Sequence, residues 1–144
     1  MRGDTEVVVV VRREGEYLVL RRAPERLGYW SLVAGGVEAE ETSETAARRE
    51  LLEETGLVGE VASLPLALSY SLLDDPPRIR ARYAPGIETV TVHAFLAEAP
   101  AGWEPALDAE HDTYRWCTED EAVSLFVYEI PKDAVRAAAR GIGS

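Results

Sequence analysis

A chain of 144 residues and 15.8 kDa has room for one hydrophobic core and too little for two, so a single domain over residues 1–144 is expected. Fifteen Lys plus Arg against 26 Asp plus Glu leave a formal net charge of -11, which opposes binding to nucleic acid or an anionic bilayer and means that any polyanionic ligand needs a cation beside it. The 47% apolar fraction excludes a disordered or collagen-like chain, and the longest wholly apolar run, Val7 to Val11, is far short of a membrane span.

In chain order, Glu6–Arg13 and Glu16–Arg22 are β-branched-rich stretches around Glu14-Gly15. They predict a β-hairpin whose first strand is buried on both faces. A loop with Pro24 and Gly28 leads through Tyr29-Trp30 to Gly35-Gly36, where paired glycines permit a backbone geometry or a close approach that a β-carbon forbids. A helix is expected from about Thr42 to Thr55, capped by Thr42 or Ser43 and closed by Gly56 in a left-handed cap. Leu57–Leu73 predicts two strands separated near Ser63 to Pro65, and Ile87–Ala97 a long one with Val90, Val92, Ala94 and Leu96 on one face. Between them, Asp74–Gly86 carries three prolines and three arginines and is expected to be irregular. Tyr114–Cys117 is a short strand, Thr118 with Glu121 a capping box, and Pro131 belongs in the first turn of a last helix ending near Arg140.

The absent motifs narrow the chemistry. Lys132 is the only lysine and follows no phosphate-binding glycine loop; His93 and His111 are too far apart for a helical zinc pair; no nucleophile elbow, dinucleotide fingerprint or calcium loop is present. Cys117, alone, reads as a small buried side chain in a protein of the reducing cytoplasm, and Met1 to Asp4 leads into the first strand without a hydrophobic signal segment. The remaining chemistry belongs to carboxylates. From Glu38 to Glu54 there are seven glutamates, and Glu50, Glu53 and Glu54 share one helical wedge. Like charges at these spacings cost a few tenths of a kcal/mol per pair, and anions in a last helical turn oppose the macrodipole by about 0.3 to 1 kcal/mol each. A solvated acidic face partly neutralised by Arg48 and Arg49 is one explanation; a hard divalent cation, which takes oxygen ligands and shares its shell with substrate phosphates, is the other.

Gly35, five residues, Glu41, seven residues, then Arg49-Glu50-Leu51-Leu52-Glu53-Glu54-Thr55-Gly56-Leu57 match the complete box of the Nudix hydrolases, and the chain is identified by resemblance as a member. The resemblance implies an α/β/α sandwich around a mixed β-sheet and hydrolysis of a nucleoside diphosphate linked to another moiety. It also implies Mg²⁺, or Mn²⁺ in its place. By the same resemblance Glu50, Glu53 and Glu54 face the metal, with one of them, often assigned to Glu50, assisting deprotonation of the attacking water, and the Ala34 carbonyl reaches the metal beside the Gly35-Gly36 turn. Arg49 orients a box glutamate and Glu41 ties the loop to the helix, while Gly56 closes the box. Many members carry proline before the two glycines and glycine before the first glutamate; here those places hold Ala34 and Glu40.

Arg82-Tyr83-Ala84-Pro85-Gly86, then Phe95-Leu96-Ala97, Glu110-His111 and Tyr114-Arg115-Trp116, resemble the dihydroneopterin triphosphate diphosphatase (dATP pyrophosphohydrolase) group. That likeness places Glu110 with the metals, where the plainer reading is an acidic turn residue. Arg82 and Tyr83 can contact phosphate or a ring, or simply order a proline loop. Trp30, with Tyr29, can stack on a base or pack in the core, and His93 reads as a satisfied sheet residue. The expected reaction is attack of water on a triphosphate, releasing pyrophosphate and a monophosphate, in a monomer or homodimer that takes a small-molecule phosphoanhydride. ADP-ribose hydrolysis, dinucleoside polyphosphate hydrolysis, and a sensor that binds nucleotide without cutting it are the alternatives.

Overall fold

The structure is a computed structural model, and it describes residues 3–73 and 81–140. Strands β1 (Thr5–Arg13) and β2 (Glu16–Arg22) form the expected hairpin, with Glu14 and Gly15 both at positive φ in the two-residue turn. Strands β3 (Trp30–Ser31) and β4 (Val33–Gly36) follow, then helix α1 (Ser43–Thr55), β5 (Ala62–Ser63), β6 (Leu68–Ser71), β7 (Thr89–Glu98) and β8 (His111–Cys117). Helices α2 (Glu119–Leu125) and α3 (Glu129–Ala139) end the described chain.

All the strands belong to one mixed sheet. Strand β1 runs parallel to β7 from Thr5↔Thr91 to Arg12↔Glu98 and antiparallel to β4 from Glu6↔Gly36 to Val9↔Val33. Because successive side chains point to opposite faces, its five consecutive valines serve two cores at once. Val8 and Val10 join Val90, Val92, Ala94 and Leu96 under α2 and α3, whereas Val7, Val9 and Val11 join Phe95 and Ala97 under α1, which contributes Ala46, Ala47 and Leu51. The result is an α/β/α sandwich with Val7–Val11 of β1 buried on both faces.

Thr42 caps α1, its hydroxyl accepting the Thr45 N–H, and Gly56 at φ 80 donates its N–H to the Leu52 carbonyl. The Thr118/Glu121 capping box is complete, and Pro131 lies in the first turn of α3. Two boundaries differ from expectation. Residues 57–61 are not a strand: after the Gly56 turn the chain drops Leu57 into the core while its N–H bonds Thr55 Oγ1 (3.2 Å), so pairing with β7 begins only at Ala62, close to the expected break. Strand β8 starts at His111 rather than Tyr114, because a register shift at Arg21/Arg22 lets His111 pair with Arg22. Most of the arginine-proline stretch, residues 74–80, lies outside the described residues. Among the described residues no helix is long and apolar enough to cross a membrane.

Candidate active site on the acidic helix

The register of β4 on β1 brings Gly35 and Ala34 to the C-terminal half of α1, where four charged residues of the helix are treated differently. Arg49 is the centre of a knot. Its Nε and Nη2 donate to the two oxygens of Glu41 (2.8 and 3.0 Å), Nη2 also to the Gly36 carbonyl (2.9 Å), and Nη1 to Glu50 Oε1 (2.8 Å). Glu41 Oε1 accepts in addition from the Glu38 N–H (2.9 Å), so one carboxylate and one guanidinium join the β4–α1 loop to the helix. The Arg49 guanidinium holds the Glu41 carboxyl below its ordinary range.

Glu50 is mostly covered and lies directly against Gly35: a β-carbon on that glycine would stand within 2.7 Å of all three carboxylate atoms. The paired glycines are therefore used for close approach at position 35, and neither adopts positive φ. Glu53 points outward, with 57% of its side chain exposed and only a 3.4 Å contact to Arg49. Glu54 is only 3% exposed. Its Oε1 accepts from the Ala34 N–H (3.4 Å), a donor that a proline at this position would lack, while Oε2 is buried without a hydrogen-bond partner. Burial first, and then the neighbouring Glu50 carboxyl, push its pKa up to about 11.

That orphaned oxygen fits a divalent cation. A buried carboxylate without a donor is costly unless it is protonated or meets a positive charge, and all-oxygen donors suit Mg²⁺ or Mn²⁺. Among the described residues no three His, Cys, Asp or Glu side chains already converge as a complete cage, so waters and substrate oxygens would supply the remaining ligands.

Outside the helix, the Glu110 carboxylate pairs with Arg26 (3.0 Å). The structure instead turns His111, the next residue and the first of β8, towards Glu54: Nε2 lies 3.8 Å from Glu54 Oε1, and Nδ1 is 2.8 Å from Asp108 Oδ1. Sequence reasoning named His111 in the Glu110-His111 resemblance and as half of a rejected zinc pair, gave it no role at the site, and missed Asp108.

Arg82 lines an open cleft of about 680 Å³ together with Asp4, Thr5, Gly36, Val37 and Glu38. Tyr83 is buried, and its hydroxyl meets Glu6 Oε2 (3.1 Å) and the Tyr70 hydroxyl (2.8 Å). Trp30 is half-buried against the α2/α3 core. His93 Nδ1 meets Ser43 Oγ (2.6 Å), and Cys117 is fully buried, which raises its thiol pKa.

The described chain is thus an α/β/α domain with a glycine-backed cluster of glutamates on one helix. The NUDIX domain model matches residues 1–138, and the chain belongs to that family, the hydrolases of phosphoanhydride bonds. It is 29% identical over 132 residues to the dihydroneopterin triphosphate diphosphatase of Haemophilus influenzae, covering 90% of this chain and 82% of that protein. Against nucleoside triphosphatase NudI of Klebsiella pneumoniae it is 31% identical over 125 residues, covering 84% and 86%. It is also 31% identical over 126 residues to an octanoyltransferase of Myxococcus xanthus; the match takes in 87% of this chain but spans only about a third, 32%, of that longer protein. In three dimensions it superposes on the E. coli dihydroneopterin triphosphate pyrophosphohydrolase with a TM-score of 0.81 at 24% identity, over 96% of both chains.

Proposed function

We propose that this chain is a cytoplasmic pyrophosphohydrolase of nucleoside-triphosphate-like substrates, dihydroneopterin triphosphate or a deoxynucleoside triphosphate such as dATP, releasing pyrophosphate and the monophosphate. The observation that carries the proposal is Glu54: buried, one oxygen held by Ala34 and the other unpartnered beside Glu50, within a complete family box. Bound Mg²⁺ would supply charge neutralisation at the phosphates and acidify water.

In this reading Glu50 and Glu54 are the inner ligands, with Glu53, Glu110 and the Ala34 carbonyl as further donors. Recruiting Glu110 requires its carboxylate to leave Arg26. Glu50, held at Oε1 by Arg49, accepts the proton of the attacking water. Arg49 and Glu41 position that carboxylate and do not touch substrate. Arg82 is the cation at the rim of the cleft that an acidic protein needs for a polyphosphate, and Tyr83, with its hydroxyl on Glu6 and Tyr70, anchors the loop rather than the ligand. Trp30 packs against the core, which leaves ring recognition to the cleft. The substrate class is supported by the two relatives of similar length, one named for dihydroneopterin triphosphate and one for nucleoside triphosphates.

The test is Mg²⁺-dependent pyrophosphate release across dihydroneopterin triphosphate, the eight common nucleoside triphosphates, ADP-ribose and a diadenosine polyphosphate, ranked by kcat/KM. A triphosphate-led profile is expected, and pterin preference would place the enzyme with the Haemophilus relative. An ADP-ribose-led profile overturns the substrate class, and tight binding without turnover makes the chain a sensor.

A further inference from the structure

Glu54 has its two oxygens in different surroundings, and the residues that create the difference come from outside the box. Oε1 lies between the Ala34 N–H at 3.4 Å and His111 Nε2 at 3.8 Å, whereas Oε2 has no partner. The His111 ring is itself fixed. Its side chain is 3% exposed, and Asp108 Oδ1 sits 2.8 Å from Nδ1 while also accepting the Glu110 N–H at 3.2 Å. Such a carboxylate partner sets both the orientation of an imidazole and which nitrogen is left to face its neighbour.

The loop that delivers Asp108 is tied down at two places. The Ala106 N–H bonds the Thr55 carbonyl (2.8 Å), one residue from Glu54, and Glu104 bridges Arg13 (2.6 Å) and the Trp116 indole (2.8 Å). The pair is therefore tethered to the helix end that it faces.

Resting on the reading above that Glu54 holds a divalent cation, we infer that Asp108 and His111 are a positioning pair: His111 Nε2 confines Glu54 Oε1, so that Oε2 is the oxygen presented to the cation beside Glu50. Neither residue touches the substrate. The geometry makes metal affinity, rather than substrate affinity, the property that the pair sets.

The experiment titrates the full chain with Mn²⁺, following the electron paramagnetic resonance signal of the free ion, for wild type, E54Q, H111L, H111Q and D108A, with melting temperatures in parallel. Losing such an outer partner weakens metal binding by about 10- to 100-fold. H111L is expected in that range and D108A at its lower end. H111Q, which returns a polar atom near the Nε2 position, should recover most of the affinity. In turnover assays H111L should require more metal for half-maximal rate with KM for substrate unchanged at saturating metal. A variant that melts lower but keeps the wild-type Mn²⁺ affinity overturns the inference by reducing the pair to a packing role, as does failure of H111Q to improve on H111L. If H111L does not fold, D108A, which keeps the ring, decides by the same criterion. If E54Q binds Mn²⁺ as wild type does, it is the metal-binding role of Glu54 that fails, and that outcome is distinct from the others.

Discussion

Arg49 and Glu54 lie about one and a half turns apart on the same helix and are served in opposite ways. Arg49 spends all three guanidinium nitrogens on Glu41, Glu50 and the Gly36 carbonyl, so this end of the box is satisfied by the protein itself. Glu54 is more deeply buried and yet keeps one oxygen without a donor. Buried polar groups are ordinarily paired, and one that is not calls for an explanation. The satisfied end holds the loop; the unsatisfied end is where the proposed cation would sit.

The largest effect expected from breaking this contrast is at Glu54. E54Q should lower kcat by about a hundredfold to ten-thousandfold, the range for loss of a group that acts on the reacting proton or its cation. In the metal-free protein the same change should stabilise the fold, and the sign follows from the pKa. The folded-state value, about 11, lies above the unfolded value of 4.5, so the folded chain keeps a proton that the unfolded chain releases. Stability is therefore full below pH 4.5 and falls as the pH rises from there towards 11. At pH 7 the penalty is about 3 kcal/mol, at an order-of-magnitude level, and E54Q removes it. Thermal melts in chelator at pH 4 and pH 7 check this: the variant should gain only at the higher pH, and added Mg²⁺ should raise the melting temperature of wild type alone.

At the satisfied end the signs agree instead of opposing. R49Q should lose both activity and stability, the latter by about 2 kcal/mol, below the cost of breaking a fully buried pair because the side chain is 24% exposed. Denaturant unfolding gives the stability and initial rates give the activity. G35A should cost about 1 to 3 kcal/mol and displace Glu50, since the new methyl overlaps its carboxylate; a lower kcat with unchanged KM is the expected kinetic signature. The smallest effect is at Glu40, which stands at φ 66. E40G relieves a left-handed conformation that costs a side-chain-bearing residue about 1 kcal/mol, so the melting temperature should rise slightly with kinetics unchanged.

Particular residues show what could be read in advance. The five valines of β1 sit among turn and strand signals strong enough to fix a strand buried on both faces, and Thr42 and Gly56 bracket α1 because caps are local chemistry. Residues 57–61 were misread because apolar alternation cannot tell a strand from an extended segment that merely fills the core below a helix end. The grouping of Glu50 with Glu54 follows from helical spacing, yet spacing assigns all three glutamates to one wedge and does not distinguish the exposed Glu53 from the buried Glu54.

The sequence by itself determined the family and the sandwich, since each rests on contacts between residues near in the chain or on a motif of fixed spacing. Only the tertiary structure decided which oxygen is left unpaired and which residues surround it. Ala34 arrives through the register of β4 on β1, and Asp108 and His111 arrive from more than fifty residues away through a loop tied to Thr55. Burial and long-range neighbours set a carboxylate's charge state, and neither is written in the spacing of the helix that carries it.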